Sequence, residues 1–146
     1  MIDLLPLQLQ YCEAVAEIAK ESLPEHWSLD GIKDVLRYDN NIYYVARDLS
    51  GKIVGFAGIM LVADEAELLN IAVSGSFRGR GIGQELLTKV LSKASQKGTQ
   101  RMLLEVRKSN TSAINLYHKN GFVELGERKN YYSNPKEDAI IMEKKL

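Results

Sequence analysis

The sequence has little of several residue types that mark particular classes of protein. Its 146 residues include one cysteine, Cys12, and only two histidines and three prolines. A single cysteine cannot form an internal disulfide, which excludes a disulfide-stapled secreted domain and favours a reducing compartment. The sequence has no cluster of His, Cys and Asp at the spacing of metal ligands. We therefore expect no bound metal.

Long apolar runs and an excess of either charge are also missing. The longest apolar run, residues 53–63, spans eleven residues with glycines among them, so it predicts a buried strand rather than a transmembrane helix. Residues 1–6 lack the basic start and the cleavage pattern of a signal peptide. The formal net charge is zero, which gives no reason to expect binding to nucleic acid or to a membrane. We expect a cytoplasmic protein that is a monomer or a weak dimer.

The neutral total conceals an uneven distribution of charge. Residues 1–40 contain eight acidic and three basic side chains, whereas residues 78–110 contain eight basic and two acidic ones. Two interpretations remain open. The two segments are solvated faces of a neutral protein, or one binds a polyanion and the other a cation.

The pattern of apolar residues predicts one α/β domain that covers residues 1–146. The predicted order is β-α-α-β-β-β-α-β-α-β-β, a mixed sheet with helices packed on its faces. The predicted strands are 2–7, 42–48, 53–62, 67–74, 102–106, 122–127 and 139–142, and the predicted helices are 9–22, 28–38, 81–97 and 111–119. Pro24 is predicted to end the first helix, and Ser28 is predicted to be the N-cap of the second.

A glycine-spaced loop at residues 78–83 joins a predicted strand to a predicted helix. The start of a helix offers unpaired N–H groups and a partial positive charge, and glycines let a phosphate come close to them. The spacing is neither that of a Walker A loop nor that of a dinucleotide-binding loop. The pattern alone is typical of a phosphate-binding loop or of a structural glycine-rich turn. Its residues are Arg78, Gly79, Arg80, Gly81, Ile82 and Gly83.

Two segments in sequence resemble the motifs of a known superfamily. Residues 71–73, the loop 78–83 and residues 85–87 resemble motif A of the GNAT superfamily of N-acetyltransferases. After one intervening strand, residues 110–122 resemble motif B of the same superfamily. The resemblance implies a single GNAT domain, with a mostly antiparallel seven-stranded sheet and helices on both faces. It also implies acetyl-CoA as the co-substrate.

A narrower resemblance involves the segments 104–110, 128–132 and 137–142. They are similar to the bacterial family of ribosomal-protein-alanine N-acetyltransferases. This implies acetyl transfer to a protein N-terminal α-amine, in that family the N-terminal alanine of a small-subunit ribosomal protein. The chain departs from the family at Gly75, where proline is usual, and at His26, where the family often has proline before Trp-Ser.

The local pattern leaves alternatives open for the residues that would perform the transfer. The alternation of Met102, Leu104 and Val106 places Glu105 on the opposite face of its strand. Glu105 is either a general base or a solvent-facing strand residue paired with Arg107 or a nearby lysine. Tyr117 is either a general acid or a core aromatic residue, with Tyr131 and Tyr132 as rival candidates for the acid. The resemblance places the base at Glu105 and the acid at Tyr117. It also assigns cofactor contacts to Ile71, Ala72, Val73 and Asn110, and substrate contacts to Trp27, Tyr131 and Tyr132.

Three other functions fit part of the pattern. One is the acetylation of a small amine, such as a polyamine or an antibiotic. Another is a non-catalytic sensor that binds an acyl-CoA. The third is a regulatory domain whose loop 78–83 binds a nucleotide phosphate.

Overall fold

A computed structural model of the chain describes residues 2–23 and 27–146. The predicted order of strands and helices is confirmed, with a short 3-10 turn before the first helix and another after the fourth strand. The strands are β1 (Asp3–Pro6), β2 (Asn41–Arg47), β3 (Ile53–Val62), β4 (Glu65–Val73), β5 (Arg101–Arg107), β6 (Val123–Ser133) and β7 (Lys136–Lys145). The helices are α1 (Cys12–Ser22), α2 (Leu29–Val35), α3 (Ile82–Gln96) and α4 (Thr111–Lys119).

The seven strands form one sheet in the order β1-β2-β3-β4-β5-β7-β6. All neighbouring pairs are antiparallel except β4 and β5, which are parallel. A parallel pair needs a crossover connection, and here α3 supplies it. The sheet is therefore mixed and mostly antiparallel, as the sequence predicted.

Helices cover both faces of the sheet and bury two cores. The core under α3 and α4 holds the alternating residues Met102, Leu104 and Val106 of β5. The core under α1 and α2 holds Tyr43 and Phe56, which point to the opposite face. The face under α1 and α2 is also the one to which Glu105 points, because successive strand side chains alternate.

Helix α2 is shorter than predicted, although its start is confirmed. The hydroxyl oxygen of Ser28 accepts a hydrogen bond from the backbone N of Gly31 at 3.1 Å, which is the predicted N-cap. The helix ends at Val35 rather than near Tyr38. The predicted stop of the preceding helix at Pro24 lies outside the described residues; α1 ends at Ser22.

The last two strands are longer than the sequence predicted. The predicted segments 122–127 and 139–142 extend to Val123–Ser133 and Lys136–Lys145. β6 is an edge strand and most of its residues are exposed, so it lacks the apolar alternation that reveals a half-buried strand. Tyr131 and Tyr132 therefore lie within a strand, next to a register shift at which Asn130 has a φ of 55°.

No helix within 2–23 or 27–146 combines the length and the apolar character needed to cross a membrane.

Candidate active site

The site is built where β4 and β5 stop pairing. The parallel register runs from Glu65 opposite Arg101 to Leu68 opposite Leu104. β4 continues to Val73 and β5 to Arg107, and no further partners join them. The register between β3 and β4 shifts at the same level, which leaves Leu69 as an extra residue. Such a bulge bends a strand, and it accounts for the opening between β4 and β5.

The backbone of β4 presents unpaired groups to this opening. The N–H of Ser74 donates to the carbonyl of Val54 on β3 at 2.8 Å, so Ser74 faces β3. Backbone N–H groups point alternately to the two edges of a strand, which directs those of Val73 and Ile71 away from β3 and toward the opening. By the same alternation Ala72 faces β3, and its side chain is buried in the core under α1. The N–H group of Ala72 therefore does not face the opening, unlike those of Ile71 and Val73.

The glycine loop leads into the N-terminus of α3. Gly79 and Gly81 have φ values of 78° and 80°, and Gly81 is the N-cap of the helix. A side chain is disfavoured at such φ values, although a Cβ at either position would meet no protein atom within 4 Å. The two glycines thus leave open space directly before the unpaired N–H groups of the helix. Ile82 is buried and anchors the first turn.

The third glycine of the loop has a different role. Gly83 lies in the first turn of α3, and a Cβ there would approach Leu116 of α4 and Val73 of β4 to 3.9 Å, which is ordinary contact. Glycine at this position widens the passage between the start of α3 and the end of β4.

The end of α1 holds the loop in place. The backbone N of Gly75 donates to Oε1 of Glu21 at 2.7 Å, and Nη2 of Arg78 donates to the hydroxyl of Ser22 at 3.0 Å. Nε of Arg78 also donates to the carbonyl of Val73 at 3.1 Å. The Arg78 guanidinium therefore bonds to protein groups on two sides. The role of Glu21 was not predicted, since nothing in its local sequence indicates a partner 54 residues away.

The side chain of Arg80 contacts an aromatic ring, unlike that of Arg78. Its guanidinium carbon lies 4.8 Å from the centre of the Phe77 ring, and Nζ of Lys52 lies 5.8 Å from the same ring. Both are cation–π contacts, which orient a charged group without neutralising it. Arg80 thus keeps its charge beside the loop.

Glu105 stands at the mouth of the opening, one residue beyond the last pair of β4 and β5. Its side chain is 20% exposed. Oε1 accepts a hydrogen bond from the Tyr131 hydroxyl at 3.3 Å, and Oε2 lies 3.4 Å from Nε of Arg128. The alternative pairing with Arg107 is not what the structure has; the partners are Tyr131 and Arg128.

A second carboxylate, that of Glu67, belongs to the same cluster. Glu67 on β4 is opposite Leu103 on β5, so its side chain points to the same face as that of Glu105. Burial and the nearby Glu105 charge raise the pKa of Glu67, while Arg128 lowers it. Sequence reasoning missed Glu67, because the strand register is needed to place it beside Glu105.

Tyr117 is 6% exposed on α4, and its ring lies 5.7 Å from that of Phe122. Burial raises the pKa of the Tyr117 hydroxyl well above its ordinary value, and the nearby Tyr132 adds to the effect. Tyr117 is therefore a core aromatic residue whose hydroxyl stays protonated at any ordinary pH. This position is compatible with both alternatives for Tyr117, a core aromatic residue and a proton donor.

Arg107 organises the hairpin that carries both tyrosines. Its Nη1 donates to the carbonyl of Pro135 at 2.8 Å and to Oε1 of Glu137 at 3.2 Å. Its guanidinium carbon lies 4.3 Å from the centre of the Tyr132 ring, and the rings of Tyr131 and Tyr132 meet edge to face at 5.0 Å. A buried arginine on β5 thus holds Tyr132 in place, and Tyr132 packs on Tyr131.

Asn110 caps α4. Its Oδ1 accepts a hydrogen bond from the backbone N of Ala113 at 3.1 Å. The amide nitrogen is the half of this side chain that is left to donate to a ligand.

Trp27 packs into the core under α1, with its ring 5.6 Å from Tyr43 and 6.3 Å from Phe56. The indole is therefore a core contact directly before α2. His26, where the chain departs from the family, lies outside the described residues.

The structure gives no metal site in the part of the chain that it describes. Nowhere in residues 2–23 and 27–146 do three or more His, Cys, Asp or Glu side chains come together in a group that could hold a metal ion.

Comparison with known protein families identifies the family to which the chain belongs. The model of the acetyltransferase (GNAT) family matches residues 12–122, which include β4, the glycine loop, α3, β5 and α4. The chain belongs to the GNAT family. It is an acetyltransferase, and its fold is the single α/β GNAT fold.

Relatives narrow the resemblance. The [ribosomal protein bS18]-alanine N-acetyltransferase of Haemophilus influenzae is 38% identical over 142 residues, which cover 92% of this chain and 94% of that protein. The crystal structure of the ribosomal-protein-S18-alanine N-acetyltransferase from Escherichia coli superposes with a TM-score of 0.91 at 32% identity, over 100% of this chain and 94% of that one.

A more distant structure shares the fold alone. Arabidopsis thaliana NAA60 in complex with acetyl-CoA has a TM-score of 0.89 at 17% identity, over 100% of this chain and 99% of that one.

Proposed function

We propose that this acetyltransferase transfers the acetyl group of acetyl-CoA to the N-terminal α-amine of a protein, in particular to the N-terminal alanine of a small-subunit ribosomal protein. The observation that carries the proposal is the position of Glu105. Its carboxylate lies at the point where β4 and β5 separate, oriented by Tyr131 and Arg128. The Haemophilus influenzae and Escherichia coli relatives, both named for the alanine of ribosomal protein S18, support this choice of substrate.

Acetyl-CoA would occupy the opening between β4 and β5. The N–H groups of Ile71 and Val73 would hold the acetyl-pantetheine arm. The N–H groups after Gly81, at the start of α3, would bind the pyrophosphate, with Arg80 adding positive charge. The remaining residues that we assign to this site are Arg78, Gly79, Ile82, Gly83 and the amide nitrogen of Asn110, whereas Ala72, which the sequence analysis also assigned to it, faces β3 and the core under α1.

Glu105 would act as the general base. A free α-amino group has a pKa of about 7.7–8.0, so near neutral pH it must lose a proton before it can attack. A carboxylate within hydrogen-bond reach accepts that proton directly or through one water molecule. The neutral nitrogen then attacks the carbonyl carbon of the acetyl group, and the carbonyl oxygen gains the charge.

The reaction also needs stabilisation of the negative oxygen and protonation of the leaving sulfur, for which β4 and α4 would supply the groups. The N–H groups of Ile71 and Val73 would stabilise the oxygen that becomes negative. When the C–S bond breaks, the carbonyl re-forms and Tyr117 would give its hydroxyl proton to the leaving sulfur. The acetylated nitrogen would release its extra proton to solvent, and Tyr117 would regain one from solvent. A tyrosine whose pKa is raised by burial is protonated, as a donor must be.

The acceptor peptide would enter on the face opposite α3 and α4. Tyr131 is 47% exposed and adjoins Glu105, which places an aromatic ring beside the base. Tyr131, Tyr132 and Trp27 would contact the first residues of the peptide.

An acetyl-transfer assay tests the proposal. The acceptors are synthetic peptides that begin with Ala, Ser, Met or Gly, with spermidine as the small-amine comparison. We expect transfer to the N-terminal amine of the peptide that begins with Ala, located by mass spectrometry. Transfer to spermidine and to none of the peptides would instead identify a small-amine acetyltransferase.

Calorimetry separates the remaining alternatives. We expect acetyl-CoA to bind and ATP not to bind. Binding of acetyl-CoA without transfer to any acceptor would favour a sensor, and binding of ATP in preference to acetyl-CoA would favour a nucleotide-binding domain.

A further inference from the structure

We propose that Glu67 is a specificity-determining residue, which together with Glu105 forms a carboxylate pair that binds the cationic form of the substrate amine. The inference rests on the proposed function and adds to it a residue and a ligand chemistry: an aliphatic ammonium group bound before it is deprotonated.

The fold brings the two carboxylates to one place. Glu67 belongs to the next-to-last pair of β4 and β5, and Glu105 lies two residues beyond its partner Leu103. Residues two apart on a strand share a face, so both side chains project from the same face at the mouth of the opening. The bulge at Leu69 keeps Glu67 on the paired part of β4, immediately before the strands separate.

The two carboxylates of Glu67 and Glu105 carry one more negative charge than Arg128 neutralises. Among residues 2–23 and 27–146, the cation at the pair is the guanidinium of Arg128, whose Nε lies 3.4 Å from Oε2 of Glu105. The hydroxyl of Tyr131, which is uncharged, also contacts Glu105. Two carboxylates and one guanidinium leave one negative charge in excess, and a single ammonium group neutralises it.

Two like charges on one face of the sheet repel each other, which is unfavourable without such a ligand. Glu67 is partly buried, and burial and the Glu105 charge raise its pKa. An ammonium group placed between the carboxylates relieves that cost and donates a hydrogen bond to each.

The pair also discriminates between substrate and product. The acetylated nitrogen is an uncharged amide, so it loses the attraction to both carboxylates. We therefore expect Glu67 to favour the free amine over the acetylated product, and so to promote product release.

Binding measurements on two peptides test this inference. One peptide begins with a free alanine amine; the other has the same sequence with that amine acetylated. Their affinities are measured by calorimetry in the presence of CoA, which occupies the cofactor site without permitting transfer. For the wild type we expect the free-amine peptide to bind more tightly than the acetylated one.

Three variants separate charge from structure. Glu67→Gln should weaken binding of the free-amine peptide about tenfold and leave the affinity for the acetylated peptide unchanged. Glu67→Asp keeps the charge and should retain most of the preference for the free amine. Glu65→Gln is the matched control, because Glu65 lies on the same strand and face but pairs with Arg101 at 3.0 Å. It should change neither affinity.

The possible failures are distinct. Equal losses for both peptides in Glu67→Gln, or no loss for either, would overturn the role of Glu67 and leave the proposed function intact. If the wild type bound neither peptide, the proposed function itself would fail, and this inference with it.

Discussion

The hydroxyl of Tyr131 donates a hydrogen bond to Oε1 of Glu105 at 3.3 Å. The contact joins the edge strand β6 to β5 across the intervening β7. It brings the residue that we propose as the general base together with a residue that we propose contacts the peptide. Substrate binding at Tyr131 and proton transfer at Glu105 are therefore physically linked.

Replacing Glu105 by Gln should lower kcat by a factor of about 10²–10⁴, because the amide cannot accept the proton from the amine. Steady-state transfer to the Ala-initiated peptide measures this loss, and calorimetry should show acetyl-CoA affinity close to that of the wild type. Tyr131→Phe is the matched comparison, since it removes only the hydrogen bond and should cost much less. If Glu105→Gln kept full activity, the assignment of the base would be wrong.

Replacing Tyr117 by Phe should lower kcat by the same factor, about 10²–10⁴, from about pH 6 to about pH 9. A raised pKa keeps the hydroxyl protonated below that pKa, so its contribution does not vary over this range. The ring and its contact with Phe122 are retained, so the melting temperature should change little. The pH profiles of kcat for the two proteins should therefore run parallel.

A loss that faded toward alkaline pH would contradict this account of Tyr117. Tyr38→Phe, at an exposed tyrosine remote from β5, is the control and should behave like the wild type.

Replacing Gly81 by Ala should weaken acetyl-CoA binding by roughly tenfold to a hundredfold, the equivalent of one lost charge-assisted hydrogen bond. The reason is the φ of 80°, which a side chain disfavours by roughly 1–2 kcal/mol, together with a Cβ placed in the space before α3. Calorimetry with acetyl-CoA and thermal melts measure the two effects.

Gly98→Ala provides the matched control for Gly81. Gly98 has a φ of 84° and an equally open Cβ position, but it lies at the other end of α3. Both variants should lose similar stability, and only Gly81→Ala should lose acetyl-CoA affinity. Equal affinities in the two variants would remove the loop from the cofactor site.

Replacing Glu137 by Gln should destabilise the protein most near neutral pH. Hydrogen bonds from Ser109, and more weakly from Arg107, hold the pKa of Glu137 below its ordinary value of 4.5. A lowered pKa gives stability that is present above the unfolded value and is lost as the pH falls through the folded value. The difference in melting temperature between wild type and variant should therefore shrink below about pH 4.5.

Melts followed by circular dichroism between neutral and acid pH give this difference directly. Glu13→Gln, at an exposed residue of α1, serves as the control and should melt close to the wild type at each pH. A difference for Glu137→Gln that stayed constant down to the acid limit would contradict the linkage.

The sequence predicted those parts of the site that are contiguous along the chain. The glycine loop and the start of α3 follow from local backbone chemistry, and their positions along the chain match the prediction. The cap of α4 by Asn110 was not predicted. The alternation of Met102, Leu104 and Val106 correctly placed Glu105 on the other face. Local pattern was sufficient here because the periodicity of each element decides its orientation.

Contacts between segments that are distant in the sequence could not be predicted from local pattern. The contacts of Glu21 with Gly75 and of Arg128 with Glu105 depend on the strand register and on side chains far apart in sequence. The position of Glu67 likewise depends on the bulge at Leu69, which has no signature in the sequence. The lengths of β6 and β7 were underestimated because an exposed edge strand carries little apolar alternation.

The short parallel register between β4 and β5 has a consequence for the protein as a whole. Only the pairs from Glu65–Arg101 to Leu68–Leu104 join β1–β4 to β5–β7 within the sheet, so the sheet consists of two halves with a narrow seam. The oxyanion donors that we propose belong to one half and the proposed base to the other. A substitution that changes the buried packing of the seam, such as at Ala66 or Met102, would therefore alter their spacing, and with it the rate, without changing any group that reacts.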